Sequence, residues 1–119
     1  MAVRCLIVDD NRGFLDAART LLEREGLTIA GVASTSADAL RQAETLRPDV
    51  VLVDVSLGDE SGFELARRLV ADHGHRAVIL ISTRSADELA DVIELSPATG
   101  FLAKSELSAE AIRGLLDGS

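Results

Sequence analysis

The sequence predicts a doubly wound α/β domain with a five-stranded parallel sheet of order 2-1-3-4-5. Three observations predict this fold class. Short apolar runs end in polar residues at intervals along the chain, and a segment with apolar residues at helical spacing follows each run. No linker or low-complexity segment interrupts the alternation, which favours right-handed crossovers and helices on both faces of the sheet. We expect a single domain over residues 1–119, a length typical of one domain.

The first half of the chain contains three predicted strands and two predicted helices. The strands comprise residues 3–8, 27–33 and 49–54, and the helices comprise residues 12–25 and 37–46. Asn11 is the expected N-cap of the first helix, and Gly26 is its expected C-terminal stop, because glycine tolerates the left-handed conformation found there. Ser36 is the expected cap of the second helix, and Pro48 closes it.

The third strand is apolar over residues 50–53. Three β-branched residues and one leucine in a row over 50–53 suit a strand that is covered on both faces. So short a run is also compatible with a buried helix, but Pro48 before it and Gly58 after it favour the strand. The strand delivers Asp54 to its carboxyl end, where ligands bind in open parallel sheets.

The second half of the chain continues the alternation. After a loop over residues 55–60, Ser61 and Glu64 have the spacing of a capping box and begin the third helix. We expect the acidic pair Asp59 and Glu60 to lie in a solvated helix N-terminus. The remaining elements are strands over residues 77–81 and 101–103, a helix over residues 87–95, and a last helix capped by Ser108. We expect residues 72–75 to form an exposed turn, in which His73 and His75 bind no metal.

The composition limits the classes of function. There are 12 basic and 20 acidic residues, a net charge of -8, which argues against direct nucleic-acid binding by this segment. The single cysteine, Cys5, lies in an apolar run, so we expect a buried small hydrophobe and no internal disulfide. No apolar run approaches the roughly 18 residues needed to span a bilayer, and no signal-peptide pattern is present. We therefore expect a cytoplasmic protein without membrane contact.

Polar side chains follow four of the five predicted strands. They are, in chain order, Asp9 and Asp10, Asp54, Ser82 and Thr83, and Lys104. The second strand ends in no reactive side chain, which fits its position at the sheet edge. In the predicted order the other four strands are neighbours, so we expect their polar ends to converge.

The chemistry of this group indicates a cation and a phosphoryl ligand. At about 4 Å and an effective dielectric constant near 20, each pair of carboxylates repels by roughly 4 kcal/mol. Oxygen ligands without histidine or cysteine suit a hard cation, and Mg²⁺ is the expected one. Ser82 and Lys104 suit the oxygens of a phosphoryl group, and a carboxylate can itself be the nucleophile. Asp54, central in the sheet, is the candidate for that role.

With these positions assigned, the chain resembles a response-regulator receiver domain, which has the flavodoxin-like fold of CheY. The residues that carry the resemblance are Asp9, Asp10, Asp54, Gly62, Ser82, and Phe101-x-x-Lys104. The run 100–104 is particularly similar to receivers that precede LuxR/NarL-type DNA-binding domains. The resemblance covers essentially the whole chain.

The resemblance implies a role for each acid. Asp54 would accept a phosphoryl group from the phosphohistidine of a sensor histidine kinase. Asp10, Asp54 and the backbone carbonyl of Ser56 would ligate Mg²⁺ directly, and Asp9 would assist through water. The domain would then be a phosphoacceptor of two-component phosphorelay signalling, which assists its own phosphorylation and dephosphorylation, rather than an enzyme.

The resemblance also implies a switch. Lys104 would pair with Asp54 and then with the phosphate, Ser82 would bond the phosphate, and Phe101 would change rotamer. The face made by the fourth helix, fifth strand and fifth helix would then change its binding preference, as a population shift. The downstream partner would be an effector protein, or a LuxR-type DNA-binding domain if the chain is part of a longer protein, and the domain would be a monomer or weak homodimer.

Three positions depart from the pattern of the family. Leu57-Gly58 stands where Met-Pro is frequent, and glycine makes a loop more mobile than proline does. Thr83 stands where a smaller residue is usual. Ser105 stands where proline usually follows the lysine in a cis bond, and a cis bond before another residue costs roughly 3 kcal/mol. No chemical group is lost, so we expect activity to survive.

Several alternatives remain open at this point. Thr83 competes with Ser82 as the switch hydroxyl, although Ser82 ends the apolar run. A haloacid-dehalogenase-like phosphatase needs a second acid two residues after its nucleophile, where this chain has Ser56. A nucleotide- or flavin-binding domain lacks support, because no glycine-rich phosphate loop, Trp or Tyr occurs. The last alternative is a degenerate receiver that acts as a phosphorylation-independent interaction module.

Overall fold

The structure, a computed structural model, describes residues 3–71, 74, 77–85 and 87–117. Its main sheet has five strands, β1 (Arg4–Val8), β2 (Thr28–Ala33), β3 (Val50–Asp54), β4 (Val78–Ser82) and β5 (Gly100–Ala103). They are parallel and lie in the order β2-β1-β3-β4-β5, which confirms the predicted topology. His73 and His75, predicted to lie in an exposed turn, are outside the described residues.

Five α-helices connect and follow the strands in the described part of the chain. They are α1 (Arg12–Arg24), α2 (Ser36–Leu46), α3 (Gly62–Ala71), α4 (Ala90–Leu95) and α5 (Ala109–Asp117), and a 3₁₀ helix over Lys104–Glu106 precedes α5. Between β3 and α3, Ser56–Leu57 pairs antiparallel with Glu60–Ser61 in a small hairpin. The sequence predicted only a loop at this hairpin.

The helix N-termini follow the predicted capping chemistry with one correction. The Asn11 side chain accepts a hydrogen bond from the backbone N–H of Phe14 at 3.1 Å, as expected of an N-cap. In α2 the cap is Thr35 and not Ser36, since the Thr35 hydroxyl accepts from the N–H of Asp38 at 3.2 Å. Thr35 keeps an extended backbone, whereas Ser36 is already the first helical residue.

The N-terminus of α5 has two acceptors from different parts of the chain. The Ser108 hydroxyl accepts from the N–H of Ala111 at 3.0 Å, as its predicted capping role requires. The Glu25 carboxylate, at the end of α1, accepts from the N–H of Ala109 at 2.7 Å. An acid at a helix N-terminus also meets the positive end of the helix dipole. These contacts join the end of α1 to the start of α5.

Helix α4 is shorter than the predicted helix over residues 87–95, because it begins at Ala90. Before it, the Ser85 hydroxyl accepts from the N–H of Glu88 at 3.3 Å. Such a local side-chain bond offers the backbone an alternative to the helix. No residue of α4 is fully buried, so little packing energy opposes that alternative.

The core consists of two apolar clusters, one on each face of the sheet. Because side chains alternate along a strand, Val51 and Val53 pack toward α2 and α3 while Val50 and Leu52 pack toward α1 and α5. This two-sided burial explains why β3 is apolar from Val50 to Val53. Cys5 lies fully buried in the second cluster, and burial raises the pKa of its thiol to about 12. Within the described ranges, no helix has the length and apolarity needed to cross a bilayer.

Candidate functional site at the carboxyl edge of the sheet

The parallel register brings the three aspartates together at one edge of the sheet. Val8 of β1 pairs with Val53 of β3, so Asp9 follows its strand directly beside Asp54. Asp9, Asp10 and Asp54 each place one carboxylate oxygen within 4.8 Å of the others. The predicted convergence of acids is therefore present, although the sequence could not supply the distances.

Asp54 lies in a mostly buried position, with 7% of its surface exposed. Its Oδ1 accepts from the backbone N–H of Ser56 at 3.3 Å, and its Oδ2 accepts from Lys104 Nζ at 3.3 Å. Burial, and secondly the charge of Asp9, raise the pKa of Asp54 to about 6, although the Ser56 N–H and Lys104 oppose the rise. The Asp54 carboxylate is thus mostly ionised at neutral pH, and it is a stronger base than an ordinary aspartate.

Asp9 is fully buried. Its Oδ1 accepts from the backbone N–H of Asn11 at 2.9 Å, and its Oδ2 lies 2.6 Å from Lys104 Nζ. The Oδ2–Nζ contact is an ion pair between opposite charges, and Oδ2 has no other described donor. The charge of this buried carboxylate is therefore compensated, while one of its oxygens retains capacity for a further ligand.

Lys104 bridges the two buried acids. The pairing with Asp54 that the resemblance implied is present at 3.3 Å, but Nζ lies closer to Asp9, at 2.6 Å. Burial acts to lower the pKa of Lys104, but contact with the carboxylates of Asp9 and Asp54 outweighs it and raises the pKa. The ammonium also lies 4.3 Å from the centroid of the Phe14 ring. The peptide bond that follows Lys104 is trans.

The hairpin after β3 forms one wall of the site. Gly58 occupies its turn with φ of +63°, a conformation that proline cannot adopt and other residues adopt at a cost. A Cβ at Gly58 would lie 3.6 Å from Asp10 Oδ2, so the turn is close to this exposed acid. The glycine that departs from the family pattern is thus required by the turn in this chain.

Glu60 connects the hairpin to α2. Its Oε1 accepts from the backbone N–H of Ser36 at 2.9 Å, at the first turn of α2. In the hairpin, Glu60 pairs with Leu57, and Ser56, which donates to Asp54, pairs with Ser61. Glu60 is exposed as predicted, but the helix terminus that it contacts is that of α2 and not that of α3.

Gly62 allows α3 to begin against the backbone of Asp54. A Cβ at Gly62 would lie 1.8 Å from the carbonyl oxygen of Asp54, which no side chain can tolerate. The Gly62 N–H also donates to the carbonyl of Val55 at 3.0 Å. The absence of a side chain at this position therefore determines where the Asp54 backbone lies.

Ser82 ends β4 in a buried position, next to the strand that carries Asp54. Its hydroxyl accepts from the backbone N–H of Arg84 at 3.0 Å, whereas Thr83 and Arg84 are exposed. No hydrogen bond joins Ser82 to the acids among the described residues. Phe101 on β5 is half-buried and packs against the core cluster of α2 and α3.

Phe14 is a site residue that sequence reasoning missed. It packs against the second core cluster, as its place in the apolar face of α1 predicts, but it is only half-buried and its ring also contacts the Lys104 ammonium. Its position one turn after the acidic pair was a weak signal for this role.

The donor set of Asp9, Asp10 and Asp54 contains oxygen atoms only, which fits a hard divalent cation.

Sequence comparisons match most of the chain to a known protein family. The family model of the response regulator receiver domain matches residues 5–116. The response regulator GacA of Pseudomonas viridiflava is 30% identical over 118 residues, which cover 95% of this chain and 53% of that protein. The chain thus spans about half the length of this relative.

Solved structures with the same fold include two receiver domains. The signal receiver domain of a modulated diguanylate cyclase from Desulfovibrio desulfuricans is 31% identical, with a TM-score of 0.82, over 99% of this chain and 93% of that one. The signal receiver domain of the putative response regulator NarL from Mycobacterium tuberculosis is 25% identical, with a TM-score of 0.81, over 98% and 95% of the two chains.

Proposed function

Because the chain belongs to the response regulator receiver domain family of two-component signalling, we propose that Asp54 accepts a phosphoryl group from a sensor histidine kinase. One observation carries the proposal. The carboxylate of Asp54 has one oxygen on Lys104 and the other on a backbone N–H, within 4.8 Å of two further acids. This arrangement holds a nucleophile beside a site for a cation and an anionic group.

The reaction moves the phosphoryl group from nitrogen to oxygen. An Asp54 carboxylate oxygen attacks the phosphorus of the kinase phosphohistidine, and the nitrogen–phosphorus bond breaks with its electron pair returning to the imidazole. Asp10, Asp54 and the Ser56 carbonyl would hold Mg²⁺ directly, with Asp9 acting through water, and the ion would neutralise charge on the phosphoryl oxygens. Because carboxylates and phosphoryl oxygens repel one another, we propose that the reaction depends on Mg²⁺.

Lys104 and Ser82 act on the phosphorylated form. Lys104 already contacts Asp54, so a small movement of its ammonium allows it to pair with a phosphoryl oxygen. The Ser82 hydroxyl donates to a second phosphoryl oxygen, and Phe101 changes rotamer as β4 and β5 adjust. The face made by α4, β5 and α5 then shifts its population between two packings with different binding preferences.

The wider assignment is part of the same proposal. Residues 1–119 form a single cytoplasmic receiver domain, a monomer or weak homodimer, that receives its phosphoryl group from a sensor histidine kinase. Its output acts on an effector protein, or on a LuxR-type DNA-binding domain in the same polypeptide. The net charge of -8 supports the absence of nucleic-acid contacts from this segment itself.

Labelling with a small phosphodonor tests the proposal. Acetyl phosphate with Mg²⁺ should add one acid-stable, base-labile phosphoryl group, detected by intact-protein mass spectrometry. Asp54→Asn should abolish the addition, and EDTA should suppress it. Asp59→Asn is the matched control, since Asp59 is an exposed acid five residues after Asp54, and should label normally. A wild-type chain that binds Mg²⁺ but stays unmodified would instead be the phosphorylation-independent interaction module.

A further inference from the structure

We propose that the groove between α3 and α4 binds a basic amphipathic helix of a partner protein. The groove has a volume of about 410 Å³, and its apolar walls come from Phe63, Val92, Leu95 and Pro97. It adjoins the face that is proposed to switch, but the inference does not depend on phosphoryl transfer at Asp54. Two independent features of this surface, its exposed leucine and its charge, carry the inference.

The apolar side chains of this groove are unusually exposed. Among the described residues, the exposed large hydrophobics are Leu21, Val92 and Leu95, and two of these line the groove. Leu95 has 88% of its surface exposed. Helix α4 is attached to the core by Leu89 and Ile93, so Val92 and Leu95 are not needed for its packing. Apolar side chains clustered around a groove are typical of an interaction site.

The charge of the segment that carries α4, whose Asp91 and Glu94 flank Val92 and Leu95 along the helix, selects the partner. Between Ser85 and Ala103 the chain has no Lys or Arg, and its charged residues are Asp87, Glu88, Asp91 and Glu94. All four of these acids are exposed. The two charged residues that line the groove itself, Glu64 and Arg67 on the α3 wall, form an ion pair with each other, so their charges cancel. A partner with lysine or arginine around its apolar side chains would be attracted to this surface.

Other occupants fit less well. A second copy of the chain also carries a net charge of -8, and a two-fold contact would bring the α4 acids of both copies together. Nucleic acid and anionic lipid surfaces are repelled by the same acids. A groove between two helices suits a third helix, which inserts apolar side chains spaced three or four residues apart.

Binding of designed peptides to the full chain tests the inference. The probe is a fluorescein-labelled peptide of about four helical turns, with leucine at positions i, i+3, i+4 and i+7 and lysine elsewhere. Fluorescence anisotropy should show binding to the wild-type chain, and Leu95→Ser should weaken it about tenfold, as loss of one buried leucine predicts. Leu21→Ser removes an exposed leucine from α1 and should leave binding unchanged.

The controls separate the possible failures. A peptide with the same leucines but glutamate for lysine should not bind, and equal binding of it overturns the charge argument. Equal weakening by Leu21→Ser and Leu95→Ser overturns the assignment to this groove. A concentration-dependent dimer in sedimentation that Leu95→Ser dissociates would make a second copy the occupant, contrary to the proposal. Leu95→Ser should still be labelled by acetyl phosphate. If the wild-type chain is not labelled, the proposed phosphoryl transfer at Asp54 fails, and the proposed binding at the groove is unaffected.

Discussion

Replacing Asp54 by asparagine is expected to stabilise the folded domain in metal-free buffer at about pH 8. In the folded chain, burial and the neighbouring charge of Asp9 raise the pKa of Asp54 from 3.8 to about 6. In the unfolded chain the carboxyl has its ordinary pKa. Keeping this group ionised in the folded state is therefore unfavourable, and asparagine removes the ionisation while it retains an oxygen for the Ser56 N–H.

The pKa shift sets the size and the pH range of the effect. A shift of about 2 units corresponds to roughly 3 kcal/mol, which is an upper limit because asparagine also loses attraction to Lys104. We expect about 1–2 kcal/mol at pH 8. Between the ordinary pKa and about 6 the folded wild type binds more protons than the unfolded chain, so its stability falls as pH rises through this window. The advantage of Asp54→Asn should therefore be small near pH 4 and complete above pH 7.

Urea unfolding followed by circular dichroism measures the difference, since the chain has no Trp or Tyr for fluorescence. EDTA keeps the samples free of divalent ions, and added Mg²⁺ should narrow the gap by stabilising the wild type. Asp59→Asn removes an exposed acid and should change stability by less than about 0.5 kcal/mol at every pH. A variant that is less stable than wild type at pH 8, or a difference that does not vary with pH, would refute the reasoning.

Four further substitutions test other parts of the site. Gly62→Ala should lower the free energy of unfolding by about 2 kcal/mol and slow acetyl phosphate labelling, because the alanine Cβ would displace the backbone of Asp54. A variant as stable as the wild type would contradict the close approach of residue 62 to the Asp54 carbonyl. Lys104→Met should lower the free energy of unfolding by about 3 kcal/mol at pH 7, because Asp9 stays buried without its ion pair; loss below about 1 kcal/mol would show that water reaches that carboxylate. Thr83→Ala and Arg84→Ala should each shorten the lifetime of the phosphorylated form, measured by mass spectrometry over time. The two exposed side chains come directly after Ser82 and would shield the phosphoryl group from water. Unchanged decay of the phosphorylated form in both variants would exclude this role.

The candidate site was predictable to the extent that it depends on strand ends. Asp9, Asp54 and Lys104 could be assigned because each follows an apolar run, and parallel strands place such residues at one edge. The closer pairing of Lys104 with Asp9, at 2.6 Å, was not predictable, because it depends on the path of the 3₁₀ helix that begins at Lys104. The contact with Phe14 was missed because apolar spacing alone assigns a residue to the core.

Errors in the predicted elements occurred where weak local signals competed. Ser36 and Thr35 are both good N-caps, and only the backbone of the folded chain shows that Thr35 takes that position. The helix predicted from residue 87 begins at Ala90, since Ser85 holds the preceding turn by a local hydrogen bond. The hairpin around Gly58 was predicted as a loop, because strands of only two residues are too short to show an alternating pattern in the sequence.

Patterns that can be recognised in the sequence were enough to predict the fold class, the strand order and the chemical groups at the sheet edge. Apolar periodicity and polar strand ends are local patterns, so they can be recognised without knowledge of the packing. The tertiary structure alone decided the pKa of about 6 at Asp54, the sharing of Lys104 between two acids and the exposed leucine of the α3–α4 groove. These properties depend on burial and on distances between residues far apart in the chain, which arise only when the helices and strands pack together.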